Sequence, residues 1–226
     1  MSLSPVAATA NYAQAVPGHN RWHPDIPAVA EVISGGSVRL QCQGRSATGE
    51  DDDPASDVVL CGPISILGAE PGDILVIDVL GVGSGERLDT AAHPGVIGCA
   101  PAIGVVAATA ADVAGVLLGR ILPGLADHRR IAAQAVRSVA RGKEVARCAA
   151  GPLVTGSRVL LPVHARGAKL SAGDLHFPAR SAGGGESGCR ATAAPGWIDL
   201  RVNLTKRGME RFRVTAPMVL SEPAGP

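Results

Sequence analysis

Trp197-Ile-Asp-Leu-Arg-Val-Asn-Leu204 decides the fold class, because from Ile198 onward an apolar residue falls at every second position. Side chains alternate faces along a strand, so this spacing puts Ile198, Leu200, Val202 and Leu204 on a core face and the polar residues opposite. Working outward, Asp73-Ile-Leu-Val-Ile-Asp-Val-Leu80 follows a Pro71-Gly72 turn with a nearly unbroken β-branched run. That run predicts a strand buried on both faces, with Asp78 as a polar intruder that must be paired. Ser37–Cys42 alternates like a half-buried strand, and Arg158–Val163 is a further strand.

One helix is expected over 127–141, where Ile131, Ala135, Val136 and Val139 recur at helical spacing, Asp127 caps the start and Gly142 ends it. Residues 105–118 are apolar and Ala-rich without a decisive period. With strands on both sides of one helical insert, the sequence predicts a mainly β sandwich with a minor helical part. The expected organisation is a single domain over 1–226, with residues 1–16 as an N-terminal arm and 105–145 as a partly helical insert.

Composition narrows the function. The 226 residues are 46% hydrophobic, with 29 Gly and 17 Pro but only two Trp, two Phe and one Tyr, so the core is aliphatic and the turns are tight. A formal charge of +1 and scarce aromatics supply neither the field nor the stacking surfaces that nucleic-acid binding needs, which leaves a small-molecule partner. The five cysteines, 42, 61, 99, 148 and 189, are widely spaced with no C-x-x-C pair, predicting neither a disulfide framework nor a zinc ribbon. Together with the lack of a leader pattern or a long apolar run, this gives the expectation of a cytoplasmic protein with no membrane partner.

Five blocks combine glycine and proline with potentially catalytic side chains. They are His19-Asn-Arg-Trp-His-Pro-Asp-Ile-Pro27, Gly68-Ala-Glu-Pro-Gly-Asp73, His93-Pro-Gly-Val-Ile-Gly-Cys-Ala-Pro101, Gly167-Ala-Lys-Leu-Ser-Ala-Gly-Asp-Leu-His-Phe177 and Gly196-Trp-Ile-Asp-Leu200. Glycine and proline fix the backbone and leave room beside a polar side chain, as a small-substrate pocket requires. Strand alternation puts Asp174 and His176 on one face, where they can act on one substrate atom or hold one ion. Gly98 allows close approach of a substrate or a neighbouring chain. Asp78 reads either as a base or metal ligand or as an acceptor for backbone donors, and Asp73 reads as turn chemistry. Cys99 reads as a small buried hydrophobe, and Ser171 can donate to an oxyanion but has no base at recognisable spacing.

In this order the five blocks resemble the acetamidase/formamidase family, its formamidase branch in particular. The resemblance implies a jelly-roll type of β-sandwich, a homo-oligomer, and hydrolysis of short aliphatic amides to acid and ammonia. It makes His93, Asp174, His176, Glu186 and Asp78 the catalytic candidates and Gly98, His164, Lys169 and Trp22 the substrate-binding ones. Glu186 is the carboxylate left for general-base work after a glycine stretch. A divalent metal, zinc or calcium, is the implied cofactor, with His93, Asp78 and His176 as candidate ligands.

The chain also departs from the family. A Gly-Gly-Asn-x-Asp motif is replaced by Val145-Ala-Arg-Cys-Ala149, an expected His falls at Val58 and an expected Glu at Ala193. Family members are longer, with an additional C-terminal region. Two readings follow: a small amidase, or a scaffold redirected to a non-hydrolytic cyclisation, isomerisation or elimination, or to ligand binding without catalysis.

Overall fold

The computed structural model describes residues 10–11, 18–43, 58–102, 115–138, 145–147, 153–178 and 191–220. In chain order the elements are β1 (Ala10–Asn11), β2 (Arg21–Trp22), β3 (Ala30–Val32), β4 (Ser37–Cys42), β5 (Leu60–Ile66), β6 (Ile74–Ser84), β7 (Arg87–Leu88) and β8 (His93–Gly98). They continue with α1 (Ala126–Gln134), β9 (Val136–Arg137), β10 (Val145–Arg147), β11 (Arg158–Pro162), β12 (Leu170–Pro178), β13 (Ala191–Ala193), β14 (Gly196–Thr205), α2 (Gly208–Phe212) and β15 (Met218–Leu220).

Two sheets face each other. The first runs β1-β4-β14-β6-β11-β15 with β7 on β6, and the second runs β10-β8-β12-β5-β3 with β13 on β12. The alternating stretch Trp197–Leu204 lies in β14, central in the first sheet between β4 and β6. Its Ile198, Leu200 and Val202 are fully buried against Cys61, Ile64, Ile97, Leu170 and Ala172 of the second sheet, and Leu204 packs at the margin. The protein is therefore a mainly β sandwich, with an aliphatic core between the sheets.

Several local expectations are corrected. β6 alternates rather than burying both faces: Leu75, Ile77 and Val79 enter the core, while Val76 and Asp78 are half-buried and Leu80 is exposed. Val76, Asp78 and Leu80 of its outer face stay partly wet, while Ile74 at the start of that face is buried where Gly208 of α2 packs on it. Helix α1 ends at Gln134, and the chain turns at once into β9, whose Arg137 and Val136 pair with Arg21 and Trp22. Pairing with β2 outcompetes further helix, and Asp127 lies in the first turn without capping it. The cysteines differ too: Cys42 of β4 and Cys61 of β5 form a disulfide that ties one sheet to the other, with 5.2 Å between their Cα atoms. Nineteen residues of separation hid this pairing.

The outer face of the second sheet carries a third layer. Residues 18–26 and 115–138 lie over it, sharing a small core of Ile26, Val116, Leu118, Ile131 and Ala132. Trp22 and Val136 join this layer to Val58, Leu60 and Val96 of the sheet. Asn20 fastens the two segments, its amide donating to Gly115 O and accepting from Leu117 N–H at 2.7 and 2.8 Å. Every polar candidate on β8 and β12 must be read against this sheet.

The alternation in β14 predicts unequal responses from neighbours. Leu200→Ala should lower the unfolding free energy by about 3 kcal/mol in urea titration. Arg201→Ala, on the exposed face, should change it by no more than about 0.5 kcal/mol.

Candidate functional site

β8 and β12 run antiparallel, and their register sets His93 directly opposite His176. The two rings meet edge to face, with 5.4 Å between centroids. His176 Nε2 lies 3.1 Å from Asp174 Oδ2, with both side chains almost wholly enclosed. In the tautomer this contact selects, Nε2–H donates to the carboxylate and the lone pair sits on Nδ1. His93 Nδ1 lies 3.3 Å from Ala91 O, which directs its own lone pair to Nε2. A carboxylate-oriented imidazole beside a second imidazole can take a proton at one place and give one at another.

Two backbone features create this geometry. Asp174 has a left-handed conformation, φ 55°, in the middle of β12. Strict alternation from Ala172 would turn the Asp174 side chain into the core and Leu175 out of it, but the kink resets the count, leaving Ala172 and Leu175 both in the core. Across the ladder, a Cβ on Gly95 would lie 2.6 Å from Asp174 Oδ2 and 2.8 Å from its carbonyl oxygen, so only glycine leaves space for the carboxylate. The Gly in His93-Pro94-Gly95 thus makes room for an acid almost eighty residues away.

The remaining candidates do not all converge here. Asp78 is on β6 of the other sheet, where its Oδ1 accepts from Arg158 Nε at 2.6 Å, so it is an outer-face ion pair and neither a base nor a ligand beside His93. His164 and Lys169 precede β12 at its far end, roughly 20 Å from His176 by strand rise, and line a separate cleft. Gly98 is opposite Ser171, on the stretch of ladder beneath the third layer. Trp22 is buried against Val96, itself opposite Gly173, and its indole Nε1 is buried without a hydrogen-bond partner. Glu186 lies outside the described residues.

A pairing that the sequence did not reveal joins His19 to Ser171. His19 Nδ1 is 2.6 Å from Arg21 O and its Nε2 is 2.9 Å from Ser171 Oγ, so a ring protonated at Nδ1 accepts from the hydroxyl. Both residues are sealed from solvent, which makes the pair a clamp between the third layer and β12 rather than a reachable nucleophile and base. Burial pushes the His19 imidazole down from 6.5 to about 4, partly offset by its bond to Arg21 O. With 152 residues between the partners, no spacing rule could have found them.

The implied metal meets a poor fit in this set. Among the described residues no group of three or more His, Cys, Asp or Glu side chains is arranged to hold an ion. Asp78 is on the other sheet, and His176 turns Nε2 toward Asp174.

Fold and site together define a β-sandwich enzyme scaffold with an Asp-His-His cluster on one ladder. The chain belongs to the Acetamidase/Formamidase family, whose profile matches residues 6–87 and 84–226. It is 31% identical to an acetamidase of Mycolicibacterium smegmatis, across 89% of this chain and 69% of that one. A formamidase of Methylophilus methylotrophus is 28% identical, across 92% and 69%. Among solved structures, a gamma lactamase from Delftia acidovorans superposes with TM-score 0.76 and 26% identity, covering 93% of this chain and 69% of that one.

The His19 clamp predicts acid sensitivity. The unfolded chain takes up a proton near pH 6.5, while the folded imidazole resists until about 4. Stability is therefore intact above pH 6.5 and falls through that window by about 3 kcal/mol. Urea unfolding between pH 7 and 4 should show the loss, and His19→Gln should flatten it. Identical pH profiles for the two proteins would refute the assignment.

Proposed function

We propose that the protein hydrolyses the carbon–nitrogen bond of a small amide at the Asp174-His176-His93 cluster. The observation that carries this reading is the carboxylate–imidazole contact at 3.1 Å beside a second imidazole, enclosed on one strand ladder. Family membership supports it through relatives named acetamidase and formamidase.

Amide hydrolysis needs a base for water, donors for the oxyanion and an acid for the leaving nitrogen. His176, oriented by Asp174, withdraws the proton from water at Nδ1, and the carboxylate stabilises the imidazolium so formed. The tetrahedral intermediate then collapses as an imidazolium gives its proton to nitrogen, a role that falls to the His93/His176 pair. Glu186 joins as a further base on the strength of the sequence block alone. A divalent ion enters this reading only with donors beyond the described residues. The same reading places the enzyme as a homo-oligomer in the cytoplasm.

One observation favours the redirected scaffold. Val58, where the family resemblance calls for histidine, is buried in an apolar cluster with Trp22, Leu60 and Val96. An apolar wall in place of an imidazole suits a larger, less polar substrate than formamide, and two facing imidazoles can equally serve a proton-transfer isomerisation.

Ammonia release from aliphatic and aromatic amides, measured with and without chelator, separates the two readings. Turnover should fall by 10²–10⁴-fold in Asp174→Asn and His176→Gln. Asparagine tolerates the left-handed backbone, so the first variant should keep its fold. Ammonia from no amide in the panel, or full turnover in both variants, would overturn the hydrolytic reading.

A further inference from the structure

The second sheet carries another concavity on its outer face, at the end away from the imidazoles. Lys169, just before β12, and His93, at the start of the strand that pairs with the far end of β12, bound the ladder on opposite sides. The cleft there has a volume of ≈ 690 Å³ and is lined by Ser65, Glu31, His164, Lys169, Glu70 and Asp25 over an apolar floor that includes Ile66, Leu67 and Pro24. Such a volume suits a ligand of about ten non-hydrogen atoms or more, several times larger than acetamide.

Its polar groups are unequally satisfied. Asp25 is held by Arg130 at 2.9 Å and Glu70 by Arg166 at 3.4 Å. Glu31, opposite Ser65 across the β3–β5 pair, is exposed, where water screens its charge. The donors are different. Lys169 gives one N–H to Ile26 O at 2.9 Å and keeps two more, half-buried. His164 Nε2 is buried with no hydrogen-bond partner. A half-buried ammonium with two uncommitted N–H groups calls for an acceptor.

The backbone fixes these donors in place. Gly167, Ala168 and Lys169 have φ of 72°, 57° and 54°, three consecutive left-handed residues of which two carry a Cβ. A Cβ on Gly167 would lie 2.6 Å from Ser65 Oγ, so the loop is seated hard against β5. Left-handed non-glycine residues are uncommon and persist only where their surroundings hold them, which is where ligand sites are found. Burial also lowers the Lys169 ammonium from its ordinary value, and the charge of Asp25 offsets this only in part.

We infer that this cleft is a second binding site, which takes a small organic carboxylate with an apolar body, its anionic oxygens on Lys169 Nζ and its body on Leu67 and Pro24. The inference is independent of the hydrolytic reading, because no residue of the Asp174-His176-His93 cluster lines the cleft.

Calorimetric titration with sodium benzoate tests it, with benzyl alcohol as the uncharged probe and acetate as the anion without a body. Benzoate should bind once per chain and more tightly than either control. Lys169→Gln should weaken it at least tenfold, Glu31→Gln should strengthen it about twofold by removing a rim carboxylate that has no ion pair among the described residues, and His176→Gln should leave it unchanged. The Glu31 variant guards against misfolding, since a damaged protein does not gain affinity. Loss of binding in His176→Gln, equal affinity in Lys169→Gln, or no heat with benzoate at millimolar concentration would each overturn the inference.

Discussion

The antiparallel ladder between β8 and β12 is the constraint on which the site depends. β12 is held on both flanks, by β8 and by β5, and its residues alternate between the sandwich core and the third layer. A slip of one residue would drive Ser171 into the aliphatic core and bring Ala172 out beneath His19, exchanging a satisfied hydroxyl for a buried orphan. The core thus sets the register, and the register places His93 against His176. The left-handed turn at Asp174 adds the one local departure that the chemistry needs, and Gly95 is the space that permits it.

Much of this architecture was legible along the chain. β14, β4 and β11 could be read from period and turn chemistry, because each sends an alternating row of apolar side chains into the core. β6 was misjudged since Val76 and Leu80 are apolar yet sit on an outer face; composition alone does not say which side of a sheet is covered. Helix α1 was placed but drawn too long, because nothing in Val136 or Arg137 announces that β2 waits to pair with them. His93, Asp174 and His176 stood out as polar residues fixed among glycines. The clamp of His19 on Ser171 and the disulfide of Cys42 with Cys61 did not, because a contact across two sheets or 152 residues leaves no local pattern.

Asp78 and Asp73 show how the same residue type divides by surroundings. Asp73 is buried and accepts from the N–H groups of Glu70 and Arg207 and from Lys206 Nζ. Burial works against its charge, but these bonds outweigh it and hold the carboxyl below its ordinary value. It is a structural anion that ties the start of β6 to the end of β14. Asp78 meets only a guanidinium at the surface among its described contacts, and Asp174 alone of the three turns to an imidazole. Sequence shows three acids; the partner decides which is chemistry.

Among the described residues, the third layer holds as many orphaned polar atoms as the far larger sandwich beneath it. Trp22 Nε1, His23 Nε2 and His128 Nδ1 are all buried there without partners, and its private core has five fully enclosed residues against the long aliphatic interior between the sheets. Opening such a layer restores water to donors that lack anything better and gives up little hydrophobic contact, so its local unfolding free energy lies well below that of the sandwich. A guest too large for a closed pocket would enter on the timescale of that breathing, with the ladder underneath unmoved.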